Sequence, residues 1–156
     1  MDFEKFYDKA LRFLSYRPRS EKEVKDNLLK KKAPPSTADL IIKKLKEQRF
    51  LNDKEFTKWW IEQRTVIKPT GLRVIRMELK QKGIDKELID EVLQDTENFV
   101  HDELEMARKL VERKIGKFAG LNRQKIYQKL GGFLSRRGFD YDTIKKAIDE
   151  ILTERV

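Results

Sequence analysis

The feature that most constrains this sequence is a pattern that occurs three times, at a spacing of about 50 residues. Residues 79–83 (LKQKG) align with residues 134–138 (LSRRG), and residues 28–32 (LLKKK) hold the same place near the N-terminus. An aliphatic residue precedes the first leucine of each motif by one helical turn. A period of this length is typical of repeat arrays, whose units stack because each is too small to bury its own apolar face.

Apolar residues recur at helical spacing in almost every segment of the 156-residue chain, and capping residues precede the apolar runs. We therefore predict nine helices and no strand. The predicted fold is all-α, a tandem array of three three-helix repeats that is elongated and curved. The predicted repeats span residues 1–51, 52–97 and 98–156.

Several turn residues are predicted from the same pattern. Ser20 and Glu23 form a capping box at one helix start. The other predicted N-caps are Ser36 or Thr37, Asp53 and Thr70. Gly83 is predicted to end its helix in the left-handed conformation, and Gly138 is predicted to stop the helix before it. Within residues 70–82, Leu72, Ile75 and Leu79 recur as a buried face would, and Trp60 is predicted to lie in the core one helix earlier.

Composition excludes several classes of site. The chain has no cysteine, and its single histidine, His101, cannot form a zinc site or a catalytic triad alone. The acidic clusters at 85–97 and 102–105 alternate with lysines, as solvated helix faces do. We therefore predict that the protein is not an enzyme and has no cofactor. With no apolar run long enough to span a bilayer and no signal-peptide pattern, the expected location is the cytoplasm.

The charge distribution favours a binding role. The net charge is +9, and within residues 64–82 a single carboxylate, Glu78, stands among six cations. Those cations are Arg64, Lys68, Arg73, Arg76, Lys80 and Lys82. Because Arg73, Arg76 and Lys80 form a stripe opposite the buried leucines, we predict a surface for a polyanion or an acidic protein. The alternative is a solvated basic helix.

Other basic residues recur in the repeat register, where structural roles compete with binding. Lys31, Lys82 and Arg137 each end the second helix of a repeat, where a cation offsets the helix dipole. Arg17, Arg64 and Arg113 recur in the first helices, and we expect two of these three to make structural ion pairs. Trp59 is predicted either to contact a base or a partner's pocket, or to pack between repeats. The further candidate binding residues are Lys22, Lys25, Arg136 and Arg137.

Three linked motifs resemble the RecX family of bacterial RecA modulators. The segment LNDKEFTKWWIEQR, followed by KPTGLRVIRMELKQKGI, is similar to the core pattern of that family. The opening ALRFLSYRPRSEKEVKDNLLKK and the ending LSRRGFDYDTI are similar to the family's first and third units. The resemblance covers nearly the whole chain.

The resemblance implies a non-enzymatic regulator built from three-helix repeats that lies along the groove of the RecA–DNA filament. The implied partners are the RecA filament and the single- or double-stranded DNA within it, and the expected effect is inhibition. We expect a monomer. The alternative, of a different class, is a helical nucleic-acid-binding protein that acts without RecA. A nuclease role is disfavoured because no metal-ligand spacing occurs in the sequence.

Overall fold

The protein is helical in the parts of the chain that the computed structural model describes, residues 2–95 and 103–155. Nine α-helices lie in those ranges: α1 Asp2–Tyr16, α2 Glu21–Lys30, α3 Pro35–Glu47, α4 Asp53–Glu62, α5 Leu72–Gln81, α6 Lys86–Asp95, α7 Glu103–Lys114, α8 Arg123–Arg136 and α9 Tyr141–Glu154. No strand occurs in these ranges, which confirms the all-α prediction. His101 and the predicted start of the third repeat at residue 98 lie outside the described residues.

The chain divides into two compact units. Unit 1 contains residues 1–60 and 79–92, and unit 2 contains residues 61–78 and 93–156. Helices α4 and α5 each contribute residues to both units, so the middle predicted repeat is shared between them. The repeat boundaries read from the sequence stay predictions.

Each unit has its own apolar core. In unit 1, Val24 and Leu28 from α2 pack with Ile41 and Leu45 from α3. In unit 2, residues of α7, α8 and α9 form one cluster that includes Leu110, Leu130 and Ile148. Trp60 is buried, as predicted, and so are Ile75 and Leu79 on α5. Leu72 was expected in the core but is only half-buried.

The predicted helix caps are correct at the start of α2 and wrong at the starts of α3 and α4. Ser20 caps α2 in a complete capping box with Glu23, as predicted. The predicted cap at Ser36 or Thr37 is wrong, because α3 begins at Pro35, whose missing N–H needs no partner in the first turn. The predicted cap at Asp53 is also wrong, because the Asn52 side chain accepts the N–H groups of Lys54 and Glu55 instead.

A five-residue π-helical turn, Gln63–Ile67, continues α4 and leads into the loop before α5. The N–H of Lys68 donates to the carbonyl of Gln63 at 3.1 Å, which closes the wider turn. The turn leaves Val66 and Ile67 exposed. Such π-turns often accompany functional sites. This one contains Arg64 and is followed directly by Lys68, two of the predicted binding residues.

Candidate functional site

Four predicted binding residues meet in unit 2. Arg64, Lys68, Arg136 and Arg137 line a cavity of about 260 Å³, which we call the basic pocket. The remaining lining residues are Thr70, Val74, Glu78 and Phe133. Four cations and one carboxylate therefore line this pocket, a formal charge of +3.

The loop before α5 is held against the end of α8 by a reciprocal pair of hydrogen bonds. The N–H of Gly71 donates to the carbonyl of Arg137 at 2.7 Å, and Nη1 of Arg137 donates to the carbonyl of Pro69 at 2.8 Å. A Cβ atom on Gly71 would lie 2.2 Å from the carbonyl carbon and oxygen of Gly138. Only glycine fits at residue 71, and this close approach fixes the position of Arg137.

Arg64 is held by the one carboxylate of the pocket. Its Nε lies 3.0 Å from Oε1 and 3.2 Å from Oε2 of Glu78, and both side chains are mostly buried. This ion pair compensates the charge of Arg64. Since Arg17 also pairs with a carboxylate, on Glu23, the expectation of two structural arginines among the three is confirmed. Arg113 is exposed and pairs with no described carboxylate.

Arg73 and Arg137 are held differently, by backbone carbonyl groups. Nη2 of Arg73 donates to the carbonyl of Ser135 at 2.9 Å, and Arg137 donates to Pro69 as described above. The Arg137 guanidinium also lies 5.1 Å from the ring centre of Phe133. A carbonyl oxygen orients a guanidinium without cancelling its charge, whereas a carboxylate does both. Both arginines are thus positioned and still able to attract an anion.

The remaining residues of the predicted basic stretch have varied environments. Lys68 and Arg136 are exposed, and neither pairs with a carboxylate among the described residues. Arg76 is half-buried and already interacts within the protein. The stripe of cations on α5 is therefore not wholly available to a partner. Arg73, which was predicted as part of a binding stripe, also has a structural contact, its hydrogen bond to the carbonyl of Ser135. Lys80 is exposed and belongs to unit 1.

The other candidate residues lie in unit 1, where carboxylates hold most of them. Lys22 pairs with Asp26 at 2.8 Å, and Lys25 pairs with Asp39 at 3.0 Å. Lys82 pairs with Glu23 at 3.4 Å, and its Nζ lies 5.3 Å from the ring centre of Trp60. Trp59 is half-buried, and the guanidinium of Arg17, which lies outside the stretch 64–82, is 5.7 Å from its ring centre.

Glu23 is the electrostatic centre of this part of unit 1. Arg17, Arg19 and Lys82 all lie within ion-pair distance of its carboxylate. Burial alone would raise the pKa of Glu23, but the hydrogen bonds from Arg17 and Ser20 and the charges of Arg17 and Lys82 outweigh it and lower that pKa. The charged form of Glu23 is therefore part of the fold of unit 1.

Sequence reasoning missed the acceptor at the start of α5. The predicted cap, Thr70, donates its hydroxyl to the carbonyl of Lys68 instead. The N–H of Leu72 donates to Oε1 of Glu103, 31 residues away. Glu103 was interpreted as part of a solvated acidic cluster, but it is half-buried. Burial raises its pKa, and the charge of Asp140 adds to this effect, although the hydrogen bond from the Leu72 N–H lowers it. No local pattern in the sequence signals this contact.

Comparison with known proteins identifies the family. Models of the first, second and third three-helix domains of RecX match residues 7–45, 52–93 and 101–148. The chain belongs to the RecX family. The predicted family and the three-helix repeats are confirmed.

Two relatives show how the chain lengths compare. The regulatory protein RecX of Bacillus velezensis is 38% identical over 150 residues, which cover 96% of this chain and 56% of that protein. The chain thus spans just over half the length of that relative. The regulatory protein RecX of Chlorobium phaeobacteroides is 34% identical over 152 residues, which cover 96% of this chain and 95% of that one.

Two solved RecX structures share the fold. The crystal structure of RecX from Lactobacillus salivarius matches with a TM-score of 0.78 and 29% identity, covering 96% of both chains. A second crystal structure of regulatory protein RecX matches with a TM-score of 0.79 and 26% identity, covering 95% of this chain and 73% of that one. Among the residues described here, no helix has the length and apolar character needed to cross a membrane.

Proposed function

We propose that this member of the RecX family binds the filament that RecA recombinase forms on DNA and inhibits its recombinase and coprotease activity. The processes affected are DNA repair, recombination and the SOS response. Relatives that carry the name regulatory protein support a regulatory role rather than catalysis. The proposal implies a cytoplasmic monomer whose partners are RecA and the single- or double-stranded DNA within the filament.

The basic pocket is the observation that carries this proposal. Lys68, Arg136 and Arg137 line it without forming an ion pair to a carboxylate among the described residues, and a backbone carbonyl orients Arg137. Phosphate groups of nucleic acid are bound by such oriented guanidinium and ammonium groups. Binding releases counterions from the nucleic acid, and because added salt makes this release less favourable, the affinity falls as the salt concentration rises. We therefore propose that the pocket contacts a phosphate of filament DNA.

The test reverses two exposed pocket charges together, Lys68→Glu and Arg136→Glu, because neither side chain pairs with a carboxylate among the described residues. The matched control is Arg113→Glu with Lys117→Glu, two exposed cations of the same unit outside the pocket. RecA-dependent ATP hydrolysis on single-stranded DNA is measured with each protein added below the RecA concentration. We expect wild type and control to inhibit, and the pocket variant to need about ten times more protein or more.

A binding measurement separates the proposal from its alternative. Affinity for naked single-stranded DNA is compared with affinity for the RecA–DNA filament over a range of salt concentrations. We expect tighter binding to the filament, and a salt dependence whose slope falls by about one for each phosphate contact that a variant loses. Equal binding to both substrates would favour a nucleic-acid-binding protein that needs no RecA. Unchanged inhibition by the pocket variant would exclude the pocket as the contact.

A further inference from the structure

Two helix ends in unit 1 place a long cation in a backbone conformation that favours glycine. Lys32 follows α2 with φ of 72°, and Arg49 follows α3 with φ of 63°. At each of these ends the next N–H donates to a carbonyl one and a half turns back, as Phe50 does to Leu45 at 2.9 Å. Two other helix ends with the same hydrogen bonds have glycine at this place, Gly83 and Gly138. A side chain there opposes folding slightly.

The residue after the left-handed position distinguishes the end of α3 from the other three. This residue usually packs back onto its own helix. Ala33, Ile84 and Phe139 hold this place at the other ends, and all three are buried. Phe50 is 56% exposed. Arg49 and Phe50 therefore project a cation and an aromatic ring from one turn, at a cost to stability.

Two cavities adjoin Phe50. One, of about 640 Å³, is lined by Arg49, Phe50 and Trp59 among others. The second, of about 530 Å³, is lined by Leu11, Leu14 and Phe50 among others. Pro18 and Phe50 line both cavities, so the two cavities are adjacent. Both volumes lie within the range of about 300–1,000 Å³ that is typical of ligand pockets.

The charges around these cavities favour a negative partner. Arg49 is exposed and pairs with no carboxylate among the described residues. Glu55 lines the first cavity, but it already pairs with Lys58 at 3.6 Å. Arg17 and Arg19, which line the cavities, share the single carboxylate of Glu23 with Lys82. The surface therefore has more positive than negative charge.

The aromatic contacts favour a protein side chain over a nucleobase. Arg17 lies over the ring of Trp59, 5.7 Å from its centre, and Trp60 meets the same ring edge-on. Trp59 thus lines a cavity, and Arg17 covers part of the ring on which a base would stack. We propose that the surface formed by Arg49, Phe50, Trp59 and Pro18 binds an acidic segment of a protein partner, with a bulky apolar side chain of that segment in a cavity. Tryptophan and arginine are the residues most often central to such interfaces.

The inference does not depend on the RecA proposal, and its test uses synthetic peptides. The probe is an array of peptides that carry one or two Phe, Leu, Met or Trp residues flanked by Asp and Glu. Matching arrays carry Asn and Gln, or Lys and Arg, at the flanks. We expect the intact chain to bind the acidic array at least tenfold better than the basic one, and the neutral array in between.

The variants Arg49→Gly and Lys32→Gly form a matched pair. Each replaces a cation in the left-handed conformation by glycine, so both are expected to raise Tm by about 2–4 °C. Only Arg49→Gly is expected to weaken peptide binding, by about tenfold, although it stabilises the fold. A structural role alone would not combine a higher Tm with weaker binding.

Three results would overturn the inference. One is a lack of preference for acidic flanks in the wild-type chain. Another is equal peptide binding by Arg49→Gly and Lys32→Gly, which would place the peptide elsewhere. The third comes from an oligo(dT) arm measured in parallel. If Arg49→Gly weakened binding to oligo(dT) and left the peptides unaffected, the surface would be a nucleic-acid site instead.

Discussion

Two groups of basic side chains, one in each unit, are held by different kinds of acceptor. In unit 1, Arg17, Arg19 and Lys82 converge on the carboxylate of Glu23. In unit 2, Arg73 and Arg137 are held by the carbonyl groups of Ser135 and Pro69. Lys82 and Arg137 occupy the same place in the repeat pattern, yet only Lys82 has its charge compensated.

The difference shows how one repeat position can serve either structure or binding. A carboxylate partner makes the cation part of the stability of the unit, because removing either charge leaves the other partly buried and unpaired. A carbonyl partner fixes the cation and leaves its charge available to an anion. The acceptor, which lies elsewhere in the sequence, decides between the two roles.

The largest effect is expected where backbone geometry holds the basic pocket together. In Gly71→Ala the new Cβ would lie 2.2 Å from the Gly138 carbonyl, so the two backbone segments must separate. We expect the free energy of unfolding in urea to fall by about 3 kcal/mol or more, with weaker filament binding. The control is Gly116→Ala, where a Cβ meets nothing within 4 Å and the change should stay within about 0.5 kcal/mol. Equal effects of the two substitutions would contradict the close approach.

Glu23→Gln tests the carboxylate-held side of the comparison. The amide oxygen can still accept the Ser20 N–H, so the substitution removes mainly the charge that Arg17, Arg19 and Lys82 share. We expect a loss of about 2 kcal/mol in the free energy of unfolding, reduced from the value for a fully buried pair because water reaches the arginines. Glu112→Gln, at an exposed position, is the control and should change little. A loss no greater than that of the control would mean that the cluster contributes no stability.

Glu78→Gln should have opposite effects on stability and binding. It removes the one carboxylate of the basic pocket, and with it the negative charge that faces Arg64 at 3.0 Å. We expect stability to fall by about 1 kcal/mol, and affinity for single-stranded DNA and for the filament to rise about threefold at low salt. The same control, Glu112→Gln, changes the net charge equally outside the pocket. If both substitutions tightened binding to the same extent, the effect would belong to net charge and not to the pocket.

The sequence predicted what depends on local patterns. The capping box of Ser20 and Glu23, the burial of Trp60 and the left-handed Gly83 after α5 each follow from residues within a few positions. It also predicted that Arg64, Lys68, Arg136 and Arg137 were candidate binding residues, although it did not show that these four share a pocket.

The rest depended on contacts between distant residues. Glu103 accepts from Leu72, and Arg137 donates to Pro69, over separations that no periodicity reveals. The predicted cap at Thr70 is wrong for this reason, because the N–H of Leu72 donates to the carboxylate of Glu103 on another helix. A stripe of cations is visible in a sequence, whereas the acceptor that compensates or preserves each charge is not.

The smallest expected effect is a pH dependence of stability that both units share. In each, a half-buried carboxylate accepts an N–H at the start of a distant helix. Asp53 accepts from Glu21 at 2.8 Å in unit 1, and Glu103 accepts from Leu72 in unit 2. The pKa of Asp53 is raised to about 6, mainly by burial. The neighbouring Glu21 side chain raises it further, whereas the hydrogen bond from the Glu21 N–H and the charge of Lys46 lower it. Burial also raises the pKa of Glu103.

A raised carboxyl pKa means that the folded state binds the proton more tightly than the unfolded state does. The contribution of Asp53 to stability is therefore fully present below its unfolded pKa of about 3.8 and is lost as the pH rises through about 6. We expect wild type to be more stable at pH 5 than at pH 7, with Asp53 contributing about 1 kcal/mol after allowance for its exposure. Glu23, whose pKa is lowered, acts in the opposite direction and at lower pH.

Urea unfolding at pH 5 and pH 7 measures the difference for wild type, Asp53→Asn and Glu103→Gln. Each amide can still accept the N–H of its helix but cannot titrate, so each substitution should remove part of the difference. Asp53→Asn should remove the larger part, because burial and the charge of Glu21 both raise the pKa of Asp53. A pH dependence that both variants retain in full would show that neither carboxyl group binds its proton more tightly in the folded protein.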